Sequence, residues 1–468
     1  MHRPLTVSLA GLAMIAASPA AYAQQDDRAM EAVQSELSAM RAAMDAMNAR
    51  IEELEGELAR TRSAAANEAV PAEAVPTERA DIAVAQAAAA PAEEAPQTTI
   101  AWNGGPELSH PDGWSFGVSG RLNYDAAYID APKSTGRDEG FSSGARRLRV
   151  EFEGEVPGNF GYDLGIEVGS GEAVVMDATI SHRSGPVTFM VGQHNTFQSM
   201  EELSSSLHTS FIERAAFTDA FVFERRVGVS AQYFEDDFVV QGGLFTDNIE
   251  ALDNRNEGGD LRIAYTPKAG NTQLHVGGSV HYTDLDGLTE NLRYSQRPLA
   301  RPPRTRFVDT GVFSADSETG IGAEAAAIFG RLHVAGEAFW QHVERTDFAD
   351  PTFFGGYAEI GYFLTPGDRR GYKKGVFERI RPANPLNEGG FGALQFNLRY
   401  DYLDLQEADI TGGEQNLYGA SLVWTPTDHT RLLMNYAYID YDNAVFATAS
   451  GDTDYGVHSL SARAQLDF

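Results

Sequence analysis

Arginine and acidic residues alternate with apolar residues in several stretches of this chain. After Arg146 the residues Arg147, Arg149 and Glu151 fall on one side of an extended chain, and Leu148 and Val150 fall on the other. Guanidinium groups bind carboxylate and phosphate through two parallel hydrogen bonds, and rings of arginine select anions in pores. The candidate anion-binding residues on this parity are Arg121, Arg147, Arg149, Arg226, Arg262, Arg399 and Arg463.

Acidic residues occupy the same parity, and this leaves two interpretations open. They are Asp125, Glu151, Asp163, Glu167, Asp177 and Asp401. The arginines either form an anion-conducting constriction, or they pair with neighbouring acids and are only part of a water-exposed inner surface. Two further groups of basic residues lie in predicted loops, one between residues 293 and 306 and one between residues 369 and 381.

A segment rich in serine and short helical patterns, residues 195–226, supplies the second group of candidates. It is longer than a plain link between two strands requires. We expect it to fold inward as a constriction, with hydroxyl and guanidinium donors facing the solute; a lid lying outside is the alternative. The candidate donors are Arg214, Ser204, Ser205, Ser206 and Ser210.

Composition excludes several classes of function. The chain of 468 residues has a formal net charge of −31, which disfavours a nucleic-acid partner because phosphate contacts need clustered lysine and arginine. It has no cysteine, so disulfides, thiolate metal sites and cysteine nucleophiles are excluded. No hydrolase elbow, zinc-protease helix or phosphate-binding glycine loop is present. We therefore predict neither an enzyme nor a cofactor or metal site.

The alternating stretches themselves predict membrane-spanning strands. Tyr455–Phe468 has period two up to its final aromatic residue, as expected of a strand paired on both edges. Similar runs, most of them long enough to cross a bilayer when tilted, number sixteen, and an even number returns the chain to its starting side. The predicted fold is therefore an all-β, 16-stranded antiparallel transmembrane barrel over residues 114–468. The runs are Phe116–Ile129, Arg146–Val156, Asn159–Val168, Val174–His182, Val187–His194, Arg226–Phe234, Phe238–Thr246, Asp260–Pro267, Gln273–Tyr282, Gly320–Phe329, Arg331–Val343, Phe353–Leu364, Gly392–Leu403, Leu417–Trp424, Arg431–Tyr438 and Tyr455–Phe468.

Short and long connections alternate between these runs, which predicts periplasmic turns and external loops. One long connection, residues 365–391, falls on the periplasmic side by strand count. An ordinary turn needs only a few residues. We expect this insert to fold into the pore mouth or to contact a periplasmic partner.

The N-terminal quarter divides into three parts. Residues 1–23 have a charged start, a short apolar run and an Ala-Tyr-Ala cleavage site, which predict a secretory signal peptide. Residues 24–60 carry heptads and predict a periplasmic α-helical coiled coil before the barrel, with a single amphipathic helix as the alternative. Residues 61–113 form an Ala/Pro/Glu-rich linker and pre-barrel segment. The heptad positions are Met30, Val33, Leu37, Met40, Met44, Met47, Ile51, Leu54 and Leu58.

Three motifs in order carry a resemblance to a known family. RRLRVEFEG follows a first strand GRLNYDAAYID, VGQHNTFQSMEELSSS leads to FIERA, and FLTPGDRRGY opens the long insert. Over residues 114–468 this resembles the phosphate-selective porins O and P. The resemblance implies a trimeric 16-stranded porin whose inward loop and basic residues conduct small anions, with Arg147, Arg149 and Arg214 at family basic positions. The loop between residues 197 and 211 contains no lysine, unlike phosphate-selective members.

The sequence therefore leads to one main hypothesis, a passive porin of the bacterial outer membrane with a preference for small anions such as phosphate or polyphosphate. Its expected partners are outer-membrane lipid, two further copies in a homotrimer, and the cell wall or another periplasmic surface through the coiled coil. The alternatives are a structural anchor that acts through the coiled coil and a non-selective general diffusion porin.

Overall fold

The computed structural model describes residues 98–102, 104–137, 139–169, 171–286 and 291–468. The predicted signal peptide, the predicted coiled coil and residues 61–97 of the predicted linker lie outside the described residues. Within the described ranges, no helix is both long and apolar enough to span a membrane.

Sixteen antiparallel strands form the wall of a closed barrel, as the sequence predicts. Each strand pairs with the next, and the last pairs with the first between Asp467↔Arg121 and His458↔Asp130. The strands are β1 (Trp114–Asp130), β2 (Gly140–Val156), β3 (Phe160–Glu167), β4 (Val174–Ser184), β5 (Val187–Asn195), β6 (Arg225–Glu235), β7 (Phe238–Phe245), β8 (Glu257–Tyr265), β9 (Thr272–Asp284), β10 (Ser317–Phe329), β11 (Leu332–Glu344), β12 (Thr352–Phe363), β13 (Ala393–Glu407), β14 (Ile410–Thr427), β15 (Thr430–Asp442) and β16 (Tyr455–Asp467).

Alternation along each strand sorts side chains to the two faces of the wall. Leu164 and Leu398 are 39% and 48% exposed on the outside, whereas Arg399 is buried on the inside. An arginine facing lipid at mid-membrane costs roughly 2–4 kcal/mol, and a shift of one residue in register would expose the whole inner set. The apolar outer face confirms the predicted parity.

Two strands begin six or more residues before their predicted runs. β2 begins six residues earlier, in the Gly- and Ser-rich stretch from Gly140, and β14 begins seven residues earlier, at Ile410. Neither extension has an alternating apolar pattern. The pairing of β1 with β2 continues to Ile129↔Gly140. The extensions are therefore strands because they pair with a neighbouring strand.

The carboxyl terminus closes the barrel through its backbone. The Phe468 amide donates to the Gly120 carbonyl at 3.0 Å, and the Gly120 amide donates back at 3.0 Å. A Cβ atom at position 120 would lie 2.6 Å from the Phe468 ring, so glycine leaves the room that the terminal aromatic residue needs. Beside this point a short hairpin, Thr99–Trp102 and Pro106–His110, pairs with the start of β1 inside the predicted pre-barrel segment.

We call the end of the barrel that holds this hairpin and Phe468 the terminal end, and the opposite end the loop end. Three connections fill much of the interior: the inward loop (196–224), the arginine-rich loop (285–316, without 287–290) and the terminal-end insert (364–392). The inward loop contains two short helices, α1 (Met200–Leu203) and α2 (Ala216–Ala220). Phe217 of α2 stacks on Phe339 of β11 with 5.8 Å between ring centroids, and Phe221 meets Tyr294 edge-on at 5.4 Å.

Candidate permeation site

The inward loop enters the barrel and binds the wall through the start of α1. Ser199 caps this helix by accepting a hydrogen bond from the Glu202 amide. The Glu337 carboxylate of β11 accepts from the Ser199 hydroxyl at 2.7 Å, and from the Met200 and Glu201 amides at 3.0 and 2.7 Å. A carboxylate at a helix start satisfies amides that have no partner within the helix.

Arginines of strands β15 and β16 hold the rest of the loop through its backbone carbonyls. Arg431 of β15 donates to the Leu207 carbonyl and, at 2.8 Å, to the Thr209 carbonyl. Arg463 of β16 donates to the Ile212 carbonyl at 2.7 Å. The loop is therefore held inside the barrel by several strands and is not an external lid.

Four of the predicted arginines lie on the inner face but inside this packed region, away from the cavity described below. Arg399 donates to Glu359 at 2.7 Å and to Glu201 at 2.9 Å, and Arg262 donates to Glu324 at 2.9 Å.

Arg463 binds Asp125 through two hydrogen bonds of 2.7 Å, and Arg226 donates to the Thr283 hydroxyl at 2.7 Å and lies 3.4 Å from Glu318. These four arginines therefore follow the second interpretation given above, in which the inward arginines pair with neighbouring acids. Pairing is expected here because buried guanidinium groups need partners.

The other four predicted arginines line a cavity of about 990 Å³ between the inward loop and strands β1–β4, which we call the permeation cavity. Arg121, Arg147 and Arg149 come from the wall, and Arg214 comes from the loop. Arg121 binds Glu151 at 2.6 Å, and Arg149 lies 3.4 Å from both Glu151 and Glu167.

Arg147 differs from its neighbours. Among the described residues, no carboxylate lies within ion-pair distance of its guanidinium, which lines the permeation cavity. Arg214, in contrast, donates to the carbonyls of Glu201, Glu202 and Ser204 and contacts the Glu202 carboxylate at 3.2 Å. Arg214 therefore holds the loop in its conformation, whereas Arg147 lines the cavity without a carboxylate partner among the described residues.

Five further arginines line the cavity and are absent from the sequence-based set of site residues: Arg146, Arg225, Arg297, Arg301 and Arg304. Arg146 lies on the outward parity by simple counting. The register shifts between Asn123↔Arg147 and Tyr124↔Ala145, so Arg146 is the extra residue of a β-bulge and reaches Glu213 at 2.9 Å. Two successive arginines, Arg146 and Arg147, break the alternation of a strand, and together with the nearby Gly144 they were the signal in the sequence that could have predicted the bulge.

Arg297 and Arg301 come from the arginine-rich loop. They share one carboxylate, Asp219, at 3.6 Å each. The basic loop predicted outside the barrel thus contributes to the cavity wall at the loop end.

The serines of the inward loop have unequal roles. Ser204, Ser205 and Ser206 line the permeation cavity, and the Ser205 hydroxyl lies 3.5 Å from Arg121. Ser210 is buried and does not line it; its carbonyl accepts from the Ser421 hydroxyl of β14 at 2.7 Å.

The terminal-end insert folds into the barrel and meets the inward loop, which was one of its two predicted positions. The Phe377 amide donates to the Ser204 hydroxyl at 3.1 Å. The Gly375 carbonyl accepts from Arg262 at 2.8 Å, and the Tyr372 hydroxyl lies 2.6 Å from His275. The insert therefore narrows the interior from the terminal end.

Charges in the loops shift the pKa values of their neighbours. Burial by itself would raise the pKa of the Glu213 carboxyl, but Arg146 and Arg463 lower it well below its usual range. Burial, together with the positive charges of Arg431 and Arg379, lowers the pKa of His208 to about 2. Glu213 is therefore ionised and His208 neutral near pH 7. Across the described ranges, no group of three or more His, Asp or Glu side chains could hold a metal ion.

A protein-family model matches most of the chain. Residues 116–468 match the model of the family described as phosphate-selective porin O and P. An uncharacterized protein of Caulobacter vibrioides is 42% identical over 484 residues, covering 100% of this chain and 97% of that protein.

Among solved structures, the trimer form of OmpT from Vibrio cholerae has a TM-score of 0.49 at 11% identity, over 76% of this chain and 100% of that chain. An anion-selective porin from Comamonas acidovorans has a TM-score of 0.49 at 13% identity, with the same shares. The family match covers the whole barrel with its inward loop and permeation cavity. The chain belongs to the phosphate-selective porin O and P family, and it is an outer-membrane porin.

Proposed function

We propose that this porin conducts small solutes passively with a moderate preference for anions, inorganic phosphate among them. The observation that carries the proposal is Arg147, a cationic group on the cavity wall without a carboxylate partner among the described residues. Fixed positive charge in a pore raises the local concentration of anions and lowers that of cations.

The preference is moderate because most of the other charges on the wall are compensated. The permeation cavity is lined by nine arginines and eight carboxylates. Most of these form the ion pairs described above. Discrimination between anions and cations therefore depends on a small excess of positive charge, and the absence of lysine from the inward loop gives no support for strict phosphate specificity.

Reversal potentials in a KCl gradient across a planar bilayer test the preference. We expect the sign that corresponds to chloride permeating faster than potassium. A reversal potential of the opposite sign in the unmodified protein would contradict the proposal. Permeability to phosphate relative to chloride then decides which anion is favoured.

We also propose that the protein is a homotrimer whose terminal end faces the periplasm, where the predicted coiled coil of residues 24–60 holds the trimer or spaces it from the cell wall. Deleting residues 26–61 is expected to leave pore conductance intact and to weaken the trimer in detergent, measured by analytical ultracentrifugation. Unaltered association would contradict this role of the heptads.

A structural anchor is the second candidate, and one observation favours it. The insert and the inward loop contact each other inside the barrel, at Phe377 and Ser204. An anchor with a closed interior passes little current, whereas a trimeric porin opens in three equal steps. Single-channel recordings separate the two candidates.

A further inference from the structure

Strand β2 changes the sign of its charge along the inner face. Successive inward positions from the loop end to the terminal end hold Arg147, Arg149, Glu151, Glu153 and Glu155. A strand rises about 3.4 Å per residue, so about 13 Å separates Arg149 from Glu153. The wall therefore begins cationic and ends anionic.

Neighbouring strands keep the same order. Arg121 of β1 lies opposite Arg149, and Asp163 of β3 lies opposite Glu153. Glu107 of the N-terminal hairpin pairs with Gly117, which in turn lies opposite Glu153. The change of sign is therefore a property of this side of the barrel and not of one strand.

A second cavity, of about 660 Å³, lies beyond the permeation cavity at the terminal end. Its acidic lining residues are Glu107, Glu153, Glu155 and Asp163, and no arginine or lysine of the described ranges lines it. Asp163 lines both cavities, so they adjoin.

Two carboxylates of this second cavity, Glu153 and Asp163, lie opposite each other on neighbouring strands. Glu153 and Asp163 have no basic group within ion-pair distance in the part of the chain that the structure describes, and one carboxylate oxygen of Asp163 has no hydrogen-bond partner there. Glu155 lies nearer the rim, 3.7 Å from the exposed Arg183. Among the described residues, the second cavity thus presents carboxylates without basic partners, and it adjoins the arginine-lined permeation cavity at Asp163.

A solute that passes from the permeation cavity to the second cavity meets an electric field along the pore axis. An anion is attracted by the first cavity and repelled by the second, and a cation meets the reverse. A solute with one charge of each sign is attracted by both cavities when its negative end points to the loop end. An extended tripeptide spans at most about 10 to 11 Å, which is about 2 to 3 Å less than the separation of Arg149 and Glu153 along the strand, and the flexible side chains of these residues bridge the difference.

We propose that short zwitterionic solutes of the peptide class are favoured permeants of this porin, with the carboxylate directed to Arg121, Arg147 and Arg149 and the ammonium group directed to Glu153 and Asp163. This rests on the proposed pore function and deepens it. The selectivity comes from the order of the two cavities along one path. It does not require a tight binding site.

Uptake of isotope-labelled peptides into liposomes containing the purified full-length protein tests this. The matched set is triglycine, which is zwitterionic, N-acetyldiglycine amide, which is neutral, and N-acetyldiglycine, which is an anion of the same length. We expect triglycine to enter about fivefold faster than the neutral peptide, because attractions by screened unit charges at its two ends add. Triglycine should also enter faster than the anion.

The double variant Glu153→Gln, Asp163→Asn should lower the ratio of triglycine to neutral uptake towards one and raise the ratio of anion to neutral uptake. Asp236→Asn is the matched control. It removes a carboxylate in an exposed turn at the same end, at a residue with φ of 53° that asparagine tolerates, and it should leave both ratios unchanged.

Equal entry of triglycine and the neutral peptide into wild-type liposomes would overturn the inference and leave the porin function standing. An unchanged triglycine ratio in the double variant would also overturn it. Should the double variant fail to fold, the single variant Glu153→Gln, in which Asp163 remains, takes its place, and an unchanged triglycine ratio in that variant would overturn the inference. No uptake of any of the three peptides would overturn the inference and the pore function together.

Discussion

Replacing Arg147 by glutamine should measure how much anion preference one unpaired charge provides. Two unit charges about 5 Å apart in water interact with about 0.8 kcal/mol, and screening at 0.1 M salt reduces this to about 0.5 kcal/mol. The charge stabilises a passing anion and destabilises a passing cation by this amount. The difference of about 1 kcal/mol corresponds to about a fivefold change in the ratio of chloride to potassium permeability.

The substitution should not harm folding. Arg147 has no ion pair to lose in the part of the chain that the structure describes, and its neighbours Arg146 and Arg149 keep Glu213 and Glu151. Glutamine preserves most of the length of the side chain and its polarity. The effect on selectivity can therefore be separated from loss of the barrel.

The assay is the reversal potential in a tenfold KCl gradient, repeated at lower total salt, where the weaker screening should enlarge the effect. Arg331→Gln is the matched control, because Arg331 is exposed beside a turn and its guanidinium lies 4.9 Å from the Tyr362 ring centroid. An unchanged permeability ratio in Arg147→Gln, or an equal shift in Arg331→Gln, would refute the assignment of selectivity to Arg147.

Two further predictions concern stability. Arg399→Gln leaves the buried Glu201 and Glu359 without their guanidinium partner and should lower the free energy of unfolding by about 3–5 kcal/mol. Tryptophan fluorescence during denaturation in detergent measures this change. An unchanged denaturation midpoint would show that these ion pairs do not hold the inward loop. Because the folded pKa of His208 is about 2 and its ordinary value is 6.5, the unfolded chain alone takes up a proton below pH 6.5, so wild type loses stability as the pH falls. His208→Gln should retain about 2 kcal/mol more of its neutral-pH stability than wild type at pH 5, and parallel pH profiles would contradict this.

The strand pattern was predictable because it depends on neighbours in sequence. Leu164 and Leu398 share their faces with the residues two positions away, and lipid outside with water inside makes that alternation obligatory. Sixteen strands, their order and the inward position of Arg149 and Arg399 therefore followed from period two alone. The extensions at Gly140 and Ile410 did not, because their residues form strands only by pairing with a neighbour.

The site was only partly predictable. Parity directed seven arginines to the interior, but it could not distinguish a guanidinium that faces a cavity from one that is buried under a loop. Arg463 and its partner Asp125 are 338 positions apart in the sequence, and the bulge at Arg146 reverses the side chain that counting assigned to the lipid face. Both depend on which distant strands and loops meet.

The sequence by itself determined the barrel, its inner and outer faces and the supply of inward charge, because each strand must separate lipid from water with its own side chains. Only the tertiary structure decided that Arg262, Arg399 and Arg463 pair with carboxylates beneath the inward loop while Arg147, on the cavity wall, has no carboxylate partner among the described residues, and that an acidic cavity follows the basic one. The reason is that compensation of a charge depends on distances across the barrel, which strand periodicity does not encode.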